Sequence, residues 1–69
     1  MSSIIIVPAE VGQEIEWLNE IFNVKVKGIV LKQYENSVCV TILDYKEKHR
    51  EMYNSDRTIV KHQRYNIIN

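Results

Sequence analysis

The chain has 69 residues and a mass of 8.2 kDa, enough for one small domain and too little for two. A core of that size supplies only a few kcal/mol, and the single cysteine excludes an internal disulfide as reinforcement. Nine Lys and Arg balance nine Asp and Glu, so the average composition is neither that of a strongly basic nucleic-acid binder nor that of an acidic tail, and 45% hydrophobic residues exclude disorder.

Ile and Val number 10 and 8, against 3 Leu and 1 Ala; with Thr41 and Thr58 that makes 20 β-branched residues. Such side chains suit a pleated surface and lose χ1 freedom in a helix, so the composition predicts an all-β domain. The neutral total hides a segregation along the chain. Residues 1–23 hold Glu10, Glu14, Glu16 and Glu20 and no Lys or Arg, whereas residues 24–69 hold all nine cations and the remaining five acids.

The N-terminal run Ile4, Ile5, Ile6, Val7 is too short for a membrane span or a signal-peptide core, and no cation precedes it. A cytoplasmic protein is expected, in keeping with the lone cysteine. Residues 1–9 read as an N-terminal arm or extra strand, and residues 10–69 as the single domain.

Residues 11–22 fit two patterns. Val11, Ile15, Leu18 and Phe22 share one face of a helix. A strand over residues 14–18 instead points Ile15 and Trp17 inward and Glu14 and Glu16 outward. Gly12 weakens the helix, Asn19 can turn the chain, and the strand is preferred.

Residues 22–34 alternate, with Val24, Val26 and Val30 on one face and Lys25 and Lys27 on the other. Gly28 within this strand predicts a bend or bulge. Glu35, Asn36 and Ser37 form a turn, and Val38, Val40 and Ile42 line one face of the next strand, giving an antiparallel hairpin. Residues 44–56 form a long polar loop or a single helical turn. A short strand over 57–60, a reversal at 61–63 and a last strand over 64–68 complete the chain.

Several of these segments together resemble the YkvS-like family of small uncharacterised bacterial proteins. They are Val11-Gly12-Gln13-Glu14-Ile15-Glu16-Trp17, Lys27-Gly28-Ile29-Val30, Tyr34-Glu35-Asn36-Ser37-Val38-Cys39-Val40 and the closing Thr58-Ile59-Val60-Lys61-His62-Gln63-Arg64-Tyr65-Asn66-Ile67-Ile68. The likeness covers about residues 11–68. The ENSV turn and the His-x-x-Tyr ending are its most specific parts. Trp17 stands where the family pattern has Phe, and Gln33 where it has Val, which predicts a weakened inward position. The resemblance implies a five-stranded SH3-like barrel. The Gly28-x-Val30 element and its hairpin also resemble a KOW motif, found in ribosome- and transcription-associated proteins. No activity comes with the family likeness, and fold alone does not supply one.

The chemistry-bearing residues point away from catalysis. Cys39, between Val38 and Val40, reads as a small packed hydrophobe. His49 and His62 lack the spacing of a zinc site, and two distant glycines build no phosphate loop. Glu14 and Glu16 form an outward stripe rather than an enclosed acid–base pair. No enzyme, cofactor, metal, small-molecule substrate or membrane partner is expected. The cations carry the leading expectation: Lys25 and Lys27 on one strand, with Lys61, His62, Arg64 and the stacking ring of Tyr65 in the closing hairpin, form a weak contact surface for RNA or a ribonucleoprotein. The alternative is a protein-interaction or self-assembly module, such as a homodimer, that uses Ile4, Ile5, Ile6 and Val7 and the acidic strand around Glu14 and Glu16. A peptide-binding SH3 domain of the signalling type is not expected, because the aromatic cluster it needs is missing.

Overall fold

The computed structural model describes residues 7–43, 47–53 and 55–68, with 47–49 described by backbone alone. The strands are β1 (Glu14–Asn19), β2 (Val24–Gln33), β3 (Ser37–Ile42), β4 (Arg57–Lys61) and β5 (Tyr65–Ile67). A short helix, α1 (Glu47–Met52), lies between β3 and β4, and a 3-10 turn (His62–Arg64) joins β4 to β5. All five strands belong to one antiparallel sheet in the order β4-β3-β2-β1-β5. The all-β, five-stranded architecture is therefore as expected. Full closure into a barrel is not found: among the described residues no ladder joins β4 to β5, which form the two edges of the sheet.

Strand periodicity builds the core. Ile15 and Trp17 from β1, Val26 and Val30 from β2, Val38, Val40 and Ile42 from β3, and Val60 from β4 all point to the same side and are buried. Each fully buried Val or Ile contributes roughly 1.5–3 kcal/mol relative to exposure. The helical alternative for residues 11–22 is overturned, since Val11, Leu18 and Phe22 are 64%, 48% and 42% exposed. β1 wins because both of its edges are satisfied, by β2 on one side and β5 on the other.

Gly28 corrects the sequence reading. The bulge falls further along β2, where Val30 faces Val40 but Lys32, not Leu31, faces Cys39. Gly28 serves a different purpose. A Cβ there would lie 2.7 Å from the Thr41 carbonyl oxygen and 3.0 Å from the Trp17 ring, so its missing side chain is the space the indole occupies. Trp17 thus reaches across the sheet only because its neighbour on β2 has no side chain.

Two further expectations shift. Ala9, read as part of the arm, is 0% exposed and belongs to the core, so the arm's root is part of the domain. Cys39 lies half-buried on the sheet face opposite the core, facing Ile59 of β4, rather than packed inside. Ile4, Ile5 and Ile6 lie outside the described residues, and Val7 is 68% exposed.

Candidate nucleic-acid interface

The ENS turn and the His-x-x-Tyr ending, distant in sequence, meet at one corner of the sheet. The Ala9 N–H donates to Tyr65 Oη at 2.8 Å, and His62 Nδ1 lies 2.8 Å from the same oxygen. His62 Nε2 lies 2.9 Å from the Tyr34 carbonyl, which can only accept, so Nε2 carries the proton. In the neutral ring Nδ1 is then an acceptor, and the Tyr65 hydroxyl donates to it while accepting from Ala9. The His62 N–H donates to the Asn36 carbonyl at 3.2 Å, and Gln33 Nε2 donates to the Ala9 carbonyl at 2.9 Å. Gln33 is thus exposed and holds the arm's root instead of weakening an inward position.

This network gives two residues of the expected binding face a structural role as well. His62 has both ring nitrogens engaged, and Tyr65 packs against the core with its hydroxyl occupied. Both side chains are half-buried. What sequence reasoning missed was Tyr65 and Gln33 as the arm's anchors, because their partner Ala9 is remote in the chain.

Lys25, Lys27, Lys61 and Arg64 are all exposed. Lys25 and Arg64 line one small hollow together with Glu16 and Asn66. Arg64 and Lys61 both line a neighbouring groove, and Lys61 and His62 a third hollow of about 510 Å³ beside Pro8, Glu35, Asn36 and Gln63. The cations are nevertheless interleaved with acids. Glu16 of β1 faces Lys27 directly across the ladder, and Arg64 pairs with Glu20 at 2.8 Å. The acidic β1 sits between basic β2 and the Arg64-bearing turn before β5, so segregation along the sequence does not become segregation in space.

The groove between β1 and β4 has a volume of about 420 Å³. Trp17 and Tyr53 lie at its base, joined by a hydrogen bond from Trp17 Nε1 to Tyr53 Oη at 2.9 Å, with Asn19 Nδ2 donating to the same oxygen at 3.3 Å. Leu18, Ile21 and Ile59 line it and are 48%, 88% and 56% exposed. The sequence signal for this apolar patch is faint, since Ile21 and Ile59 lie in segments read as a turn and a strand.

Among the described residues no three His, Cys, Asp or Glu side chains gather where they could hold a metal ion, and no helix is long and apolar enough to cross a membrane. Every buried side-chain nitrogen or oxygen among them has a partner.

The molecule is thus a small five-stranded all-β domain with an exposed, mixed-charge outer face. The chain belongs to DUF2187, a family of uncharacterized proteins conserved in bacteria, whose model matches residues 7–68. The match takes in the root of the arm, where Ala9 enters the core. No curated protein and no solved structure matches the chain.

Proposed function

We propose that the protein is a non-enzymatic, cytoplasmic binding module that makes weak, salt-sensitive contact with RNA or a ribonucleoprotein. The observation that carries this reading is the convergence of Lys25 and Arg64, from β2 and the 3-10 turn, on one hollow, with Lys27 on the same strand face as Lys25. The KOW-like likeness of the β2–β3 hairpin and the SH3-like strand order support it as analogy. With Tyr65 turned inward, the contact is phosphate-directed rather than stacked, and the acids on β1 keep it weak.

Titration of a labelled single-stranded RNA at rising salt tests this reading. Two to four phosphate contacts give a log–log slope of about −1.4 to −2.8, taking about −0.7 per contact for single strands. Lys25→Glu combined with Arg64→Glu abolishes the signal. Absence of binding by the unaltered chain at low salt overturns the reading.

A further inference from the structure

Among the described residues, β4 pairs with β3 and with nothing else, so no described strand occupies its other backbone edge. Its alternation sends Val60 into the core and sets Arg57, Ile59 and Lys61 in a row on the opposite face, all exposed. A cation, an aliphatic side chain and a second cation therefore stand two residues apart along an edge strand. Neither Arg57 nor Lys61 has an ion-pair partner among the described residues. The groove with Trp17 and Tyr53 at its base is lined by the same strand, and Leu18 and Ile21 add exposed apolar surface to it.

A free edge is a template for another chain, and strand addition is a recurrent mode of peptide recognition: backbone bonds supply affinity, and alternate side chains supply choice of partner. The row on β4 indicates which partner. A second copy pairing about a two-fold axis centred on Ile59 would set Arg57 against Lys61 at both ends, placing like charges opposite one another. An RNA strand would match the cations but lay a polyanion over Ile59, Ile21 and Leu18 and leave the backbone edge unused. An extended peptide with the pattern acid-x-aliphatic-x-acid meets both cations, covers Ile59 and satisfies the edge. We propose that the free edge of β4 is a docking site for such an acidic, extended segment of another protein, which adds to the sheet as a strand beside β4. This goes beyond the nucleic-acid reading and shares with it Lys61 and, in the lining of the groove, Arg64.

The test uses the full chain and two capped heptapeptides, Thr-Glu-Thr-Ile-Thr-Glu-Thr and its counterpart with lysine for both glutamates. The readouts are amide chemical shifts along β4 and the emission of Trp17, the chain's one tryptophan. The glutamate peptide shifts both signals at low salt, and the lysine peptide binds about tenfold more weakly, a difference of ~1.4 kcal/mol. Arg57→Glu combined with Lys61→Glu reverses that preference, and Ile59→Asp weakens the glutamate peptide while circular dichroism stays unchanged. Lys25→Glu with Lys27→Glu, which removes the β2 cations of the RNA reading and touches nothing in the groove, weakens the RNA contact and leaves peptide binding intact, so the two readings fail separately. Unmoved β4 amides, equal binding of the two peptides, or single-stranded RNA shifting the same β4 amides more strongly than the glutamate peptide each overturn the proposal. The comparison of peptides on the unaltered chain decides even if a variant does not fold.

Discussion

Two tyrosine hydroxyls each draw together distant parts of this chain, and they do so under different constraints. Tyr65 Oη accepts the backbone N–H of fully buried Ala9 and engages His62, pinning the arm's root and the last turn to the core. Tyr53 Oη accepts from the side chains of Trp17 and Asn19 at the base of an open groove. Water entering the groove can replace Tyr53 as a partner, whereas among the described residues only Tyr65 meets the Ala9 amide. One end of the domain is therefore latched by polar contacts that must be made, and the other is held by apolar packing beneath an optional hydrogen bond.

The largest break in this comparison is Trp17→Ala. It removes the groove's base and leaves a core cavity at a cost of about 3–5 kcal/mol. A domain of this length has only about 3–10 kcal/mol in total at ~0.05–0.15 per residue, so the substitution removes about a third of it or more, and urea unfolding followed by circular dichroism should show the midpoint fall by at least that fraction. Gly28→Ala acts on the same ring from behind. Its Cβ meets the Thr41 carbonyl oxygen at 2.7 Å, backbone that yields only if the sheet shifts, and urea unfolding should register a loss of about 1–3 kcal/mol.

The sharpest test pairs Tyr65→Phe with Tyr53→Phe. The first strands the Ala9 N–H and should cost about 1–3 kcal/mol, with faster amide exchange at Ala9; the second should cost about 0.5–1.5 kcal/mol. Equal losses in the two variants would dissolve the distinction between a latched end and an open one. Smallest of all is Arg64→Ala. Its pair with Glu20 is about three-fifths exposed on both sides, so stability should change by no more than about 0.5 kcal/mol, and any larger drop in thermal unfolding would mean the pair matters to the latch.

Much of the sheet was legible before any coordinates. The alternation of Val24, Val26 and Val30, and of Val38, Val40 and Ile42, marks strands because a half-buried pleat admits β-branched side chains on one face only. Strand ends agreed to within about two residues, the usual uncertainty of boundaries. The candidate interface was less legible. The outward direction of Lys25 and Lys27 follows from period two, but the inward turn of Tyr65 does not, because its partner Ala9 lies at the other end of the chain. Gly28 was singled out for the wrong reason: the residue that needs its space, Trp17, belongs to a different strand.

The charge balance divides the same way. Composition and position establish an all-β chain, neutral in sum, with an acidic first third and a basic remainder. Whether those charges meet or separate depends on strand order, which local periodicity does not encode. Tertiary pairing places acidic β1 between basic β2 and β5, setting Glu16 against Lys27 and Glu20 against Arg64. It leaves Arg57 and Lys61 on the free edge of β4 without an ion-pair partner among the described residues. Coulomb interaction falls off over a few ångströms in water and salt, so neighbours in space, not in sequence, set the surface this protein offers a partner.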